Sequence, residues 1–141
     1  MNYSTFLVLL FFSSGSLFCQ TLHIQVTGIR NASGNIRLAF YSDSKSFDDE
    51  KPLFIRTVPK KEIVKESMKI SYSDLKPGVY GIAILDDENA NEKMDYGWVL
   101  PKEGFGFSDY YHTGMTRPHF DKFDFVLKNE IKTVEIKVRY M

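Results

Sequence analysis

The stretch Val79-Tyr80-Gly81-Ile82-Ala83-Ile84-Leu85 decides the fold. Successive side chains of an extended chain point to opposite faces, and here neither face carries a charge. A strand of this kind is covered on both sides and sits at the centre of a sheet. Leu75-Lys76-Pro77-Gly78 precedes it, with Pro and Gly in the order that suits a type II turn.

Outward from this strand the dominant pattern is alternation with a period of two. Leu22, Ile24 and Val26 alternate with His23, Gln25 and Thr27, and Ile36, Leu38 and Phe40 alternate with Arg37, Ala39 and Tyr41. The turn signal Asn31-Ala32-Ser33-Gly34-Asn35 lies between these runs, so they read as a hairpin or a near-neighbour pair. Residues 53–58 form a short strand that Pro52 and Pro59 confine to an edge. Met68, Ile70 and Tyr72 alternate again, as do Phe123, Phe125 and Leu127, and then Val134, Ile136, Val138 and Tyr140. Residues 43–51 read as a loop with at most one helical turn, and residues 60–66 fit neither period.

The expectation is an all-β chain: a single Greek-key β-sandwich of about seven strands, immunoglobulin-like or transthyretin-like, with one long aromatic loop. A chain of 141 residues is enough for one such domain with a core of its own.

Residues 1–19 contain no charged side chain and include the apolar run Phe6-Leu7-Val8-Leu9-Leu10-Phe11-Phe12. This reads as an export signal preceding a domain at residues 20–141, which would place the protein in the periplasm or outside the cell. The run is too short to cross ~30 Å of hydrocarbon as a helix, so no transmembrane segment is expected. Lipid anchoring at Cys19 is the other reading, against which bulky Phe18 stands. Cleavage before Gln20 would leave no cysteine and hence no disulfide framework.

Lys plus Arg and Asp plus Glu number eighteen each, giving zero formal net charge. Such a balance excludes a nucleic-acid binder, which needs a basic surface to neutralise phosphates. There is no G-x-S-x-G elbow, phosphate-binding loop or H-E-x-x-H motif. Ser108, Asp109 and His112 are neighbours in sequence, which is not the spatial arrangement that a nucleophile and its base require. No catalytic residues are expected, and the protein is read as a non-enzyme.

The sharpest local signal is Asp87-Glu88-Asn89-Ala90-Asn91-Glu92-Lys93-Met94-Asp95. Oxygen-bearing side chains recur at alternate positions, a spacing that wraps a hard cation. Asp87, Asn89, Asn91, the backbone carbonyl of Lys93, and Asp95 form a candidate Ca2+ cage, while Zn2+ would want His or Cys. Glu92 stands where such loops turn sharply through glycine, and Trp98 stands where they place a glutamate. The other reading is a solvated turn in which Asp and Asn cap their own backbone.

Aromatic residues interleaved with glycine follow. Tyr96, Trp98, Phe105, Phe107, Tyr110 and Tyr111 form a candidate binding platform for a protein or glycan partner. Alternatively the loop folds back and its rings cover one end of the sandwich, as long loops in compact domains do.

Taken together, Leu75-Lys76-Pro77-Gly78-Val79-Tyr80, Asp86 to Asp95, and Pro101-Lys102-Glu103-Gly104-Phe105-Gly106-Phe107-Ser108 resemble the bacterial family known as domain of unknown function 2141. The resemblance runs from about Leu22 to Tyr140. In that family the acidic loop takes the form D-E-N-G-N-G-K-L-D, so Ala90 and Glu92 stand here in place of glycines. What the resemblance implies is an exported bacterial sandwich domain with no established activity. The Pro-Gly-x-Tyr entry to the strand is also similar to carboxypeptidase-regulatory and transthyretin-like modules.

Overall fold

The computed structural model describes residues 20–97 and 100–141; the expected signal at residues 1–19 and the platform residue Trp98 lie outside them. Eight strands occur in the order β1 (Thr21–Thr27), β2 (Asn35–Tyr41), β3 (Phe54–Pro59), β4 (Ser67–Tyr72), β5 (Gly78–Asp87), β6 (Gly104–Phe107), β7 (Asp124–Leu127) and β8 (Ile131–Lys137). Among the described residues the one α-helix is a single turn, α1 (Ser44–Asp48), between β2 and β3. Asp43 caps it: its side chain accepts from the Ser46 N–H, while Ser46 reaches back to the cap.

The strands form two sheets. The smaller has the order β4-β1-β8, with β1 antiparallel to β4 and parallel to β8. The larger has the order β3-β2-β5-β6, and β7 also pairs with β5. The long β5 pairs with β2 along most of its length, with β7 through residues Gly78 to Gly81, and with β6 through residues Ala83 to Asp86. This is the central position that its two apolar faces predict, and β3 is the edge strand that its flanking prolines predict.

The alternating residues of both sheets share one core. Leu22, Ile24 and Val26 of β1, Ile36, Leu38 and Phe40 of β2, Ile82 of β5 and Val134 and Ile136 of β8 are fully buried in it. Each such side chain contributes roughly 1.5–3 kcal/mol relative to an exposed one.

A second cluster sits on the outer face of the larger sheet: Tyr41, Phe47, Phe107, Phe120 and Phe123, with Ala39, Ala83, Phe105 and Tyr110 against it. The small residues of the decisive strand now have a cause. A Cβ at Gly81 would stand 2.6 Å from Phe120 and 2.7 Å from Phe123, so this face of β5 is flattened to admit rings.

Two expectations need correction. β1 and β2 are not a hairpin, because they belong to different sheets. Alternation specifies which side chains face inward, and that is equally satisfied from either side of a sandwich. The connection crosses over through Gly28 and Gly34, both at positive φ (74° and 72°), and Ile29 N–H bonds to Glu66 O at 3.0 Å.

Among the described residues the strands number eight where about seven were expected, since β6 lies within the stretch read as a loop. Gly104 and Gly106 face inward there, where a Cβ on Gly106 would lie 2.8 Å from Ile136. Beyond β8 the chain continues as a bridge in which Phe105 and Arg139 exchange backbone hydrogen bonds of 3.0 and 2.8 Å, joining the two sheets at one edge.

Candidate functional site

The expected ligand residues lie where β5 runs out. Asp87, its last residue, is fully buried, and its carboxylate accepts from the N–H groups of Asn91 (3.0 Å) and Glu92 (2.9 Å). The Asn89 side-chain oxygen accepts from Asn91 N–H and the Asn91 oxygen from Lys93 N–H, at 3.0 and 2.9 Å. Both asparagine amides donate to the Asp95 carboxylate, that of Asn91 at 3.0 and 3.1 Å. Asn89, Asn91 and Asp95 therefore converge, Asp87 caps the turn from beneath, and the Lys93 side chain is exposed. Among the described residues no three His, Cys, Asp or Glu side chains gather as a metal-holding group, so the oxygens here come mainly from amides and backbone.

Ala90 and Glu92 have φ of 56° and 66°, a left-handed backbone that costs a non-glycine residue about 1–2 kcal/mol. These are the two positions at which the resembling family carries glycine. The turn adopts left-handed backbone at both positions without a glycine at either.

Glu103, absent from the sequence-based set, completes the arrangement. It is buried, and its two oxygens accept from Glu88 N–H and Asp95 N–H, each at 3.1 Å. It arrives on the return of the chain into β6, where Lys102 N–H also donates to Asp95 O at 2.8 Å.

The aromatic residues divide. Phe107 is buried in the outer cluster, with its ring 5.0 Å from that of Phe123, and Phe105 and Tyr110 are half-buried beside it. Tyr96 and Tyr111 are exposed, at 65% and 47%, and Lys137 lies over the Tyr111 ring. Hence the loop does fold back on the sheet, but covers its outer face rather than an end. It also leaves a cleft of about 490 Å³ there, floored by Phe105 and Phe107 and walled by Met94, Tyr96, Met115 and Arg117. Arg117 is held in place over the Phe47 ring (3.9 Å), donating to Phe47 O and pairing with Glu50 at 2.9 Å. Arg139 pins the far wall by donating to the carbonyls of His112 and Gly114 at 2.8 and 2.9 Å.

Ser108, Asp109 and His112 do not meet as a catalytic set. The Ser108 hydroxyl is buried and donates to Phe123 O at 2.6 Å, Asp109 accepts from Glu135 N–H at 2.8 Å, and His112 bonds to Thr116 O at 2.5 Å.

A further polar group lies on the inner face of β5. Asp86 and Lys60 pair at 2.5 Å with no side-chain exposure on either, and the Tyr140 hydroxyl donates to the second Asp86 oxygen. Burial, and then the bond to Asp86, push the Tyr140 hydroxyl well above the usual tyrosine value. Arg30 lies over the Tyr140 ring at 4.3 Å and grips Glu88 with two bonds of 2.6 and 2.7 Å, which hold that carboxyl below its ordinary value. Nothing in the period of residues 60–66 signals a buried lysine.

Among the described residues no helix is long and apolar enough to cross a membrane. Neither a curated protein nor a solved structure matches the chain. A family model described as an uncharacterized protein conserved in bacteria matches residues 24–135, spanning both sheets, the acidic turn and the cleft. The chain belongs to that bacterial family, domain of unknown function 2141.

Proposed function

We propose that the protein is an exported, noncatalytic binding module of the periplasm or cell exterior, and that its cleft takes an apolar segment of a partner protein. The observation that carries this reading is the cleft on the outer sheet face, floored by Phe105 and Phe107. Two methionines, Met94 and Met115, line it, and flexible thioether side chains adapt to varied apolar partners. Met115 is 73% exposed and Tyr96 65%, so the wall offers contact area without first having to open.

The acidic turn forms the adjoining support. In this proposal Ca2+ is held by Asp87, Asn89, Asn91, the Lys93 carbonyl and Asp95, replaces the mutual hydrogen bonds of Asn89, Asn91 and Asp95, and stiffens the chain leading to Tyr96. The immunoglobulin-like or transthyretin-like connectivity expected from sequence belongs to the same reading, as a scaffold that displays loops.

A panel of fluorescent decapeptides centred on Leu, Phe or Met tests the cleft by polarisation. A binder tighter than about 100 μM that Met115→Asp weakens at least ~10-fold is expected. If no peptide binds while a soluble glycan panel does, the partner class is wrong. Calorimetry with CaCl2 tests the ion, and the absence of both heat and thermal shift at millimolar concentration would remove it.

A second reading has its own support. Phe107, Phe120 and Phe123 are buried and mutually packed, so the long loop also serves as a second core, and a purely structural domain is the competing function.

A further inference from the structure

We propose that Lys60 and Asp86 condense to an intramolecular amide, so that the chain carries a covalent strut across β2. The inference does not depend on what the cleft binds.

Register brings the two residues together. Asn35 of β2 lies opposite Pro59 on one side and Asp87 on the other, so Lys60, one residue past β3, and Asp86 meet at the same end of the sheet. Asp86 lies on the inward face that carries Ile82 and Ile84, and neither it nor Lys60 exposes any side chain. Lys60 Nζ stands 2.5 Å from Asp86 Oδ1, with Asn31 Oδ1 at 3.3 Å as its other partner. The Tyr140 hydroxyl donates to Oδ2 and is itself held by the Arg30 N–H at 3.1 Å.

The chemistry follows from this placement. In the first step one proton crosses from Nζ to Oδ1, giving the amine and the acid. The amine lone pair then attacks Asp86 Cγ, and Oδ2 takes the developing negative charge under the Tyr140 hydroxyl. A second proton passes from nitrogen to Oδ1, the Cγ–Oδ1 bond breaks, and Oδ1 leaves as water. One C–N bond is formed, one C–O bond is broken, Nζ has given up both protons carried by the water, and no oxidant or activating group is consumed. Holding the amine 2.5 Å from the carboxyl group within a dry site substitutes for the activation that amide formation needs in solution.

Intact-mass measurement of the purified protein tests the proposal without any substitution. The expected mass is lower by one water than that of the sequence from the observed N-terminus, and a tryptic digest yields one branched peptide joining the segments around Lys60 and Asp86. Lys60→Met and Asp86→Ala should each restore the full mass expected for the variant. Tyr140→Phe keeps the pair but removes the donor, and should slow formation by at least ~10-fold, followed as the fraction of branched peptide over time after cell-free synthesis of the unlinked chain. A full-mass wild-type protein, folded by circular dichroism and cleaved by trypsin after Lys60 once denatured, would overturn the proposal.

Discussion

Asp86 and Asp87 are neighbours in one strand, both fully buried, and yet they are satisfied in opposite ways. Asp86 points into the sandwich and is matched by side chains from distant parts of the chain, Lys60 and Tyr140. Asp87 points to the outer face and is matched by backbone N–H groups four and five residues on. The first arrangement exists only when the whole fold does. The second is a local turn that needs little more than its own sequence. A buried carboxylate is therefore no guide to function until its partners are known.

The largest expected break in this comparison is Asp86→Ala, which removes both the proposed amide and the charge partner, strands the Lys60 ammonium in the interior, and should lower unfolding free energy by at least about 3–5 kcal/mol in urea titration. Replacing both partners, Lys60→Met with Asp86→Leu, should recover at least half of that loss, since matched apolar volume costs less than a lone charge. Asp87→Ala should cost about 2 kcal/mol, because water reaches the exposed turn and partly replaces the lost acceptor. If Asp87→Ala proved the costlier of the two, the contrast between distant and local satisfaction would be wrong.

Two smaller effects sharpen it. Ala90→Gly should raise stability by about 0.5–1 kcal/mol, measured as a gain in Tm, by relieving the left-handed backbone, and Glu92→Gly by less because it also loses the 3.2 Å pair with Arg37. The smallest are pH effects. The Tyr140 proton is held more tightly in the folded state than its ordinary value of 10.0, so this contribution is intact below pH 10 and is lost as pH rises beyond it. Tyr140→Phe should flatten that alkaline decline. Glu88 titrates below its ordinary 4.5 when folded, so its contribution is present above that pH and fades in more acid solution, an effect that Glu88→Gln should abolish.

How much of this was legible in the sequence depends on how far apart the causes lie. The inward faces of β1, β2, β4 and β8 were readable because alternation is a local property, and the central place of β5 because neither face of its stretch from Val79 to Leu85 carries a charge. The assignment of β1 and β2 to different sheets was not, because the same inward residues serve either pairing. Strand β6 was hidden because its inward positions are Gly104 and Gly106, and a strand that must admit Ile136 and Val138 there has no apolar side chains to alternate. In the acidic turn, Asn89, Asn91 and Asp95 were found by spacing. Glu103 was missed because it reaches the turn only through the return into β6. Lys60 lay in a segment without a period, and its burial has no local signal at all.

The parallel pairing of β1 with β8 also fixes when the molecule can be finished. Thr21 lies beside Ile131 and Thr27 beside Lys137, so β1 takes one of its two neighbours from β8, far along the sequence. No shorter length of nascent polypeptide can close the smaller sheet. Such contacts, distant in sequence, are won only after a large loop-closure entropy has been met, and domains built on them fold in milliseconds to seconds. Until β8 has been synthesised, β1 remains open to chaperones and proteases.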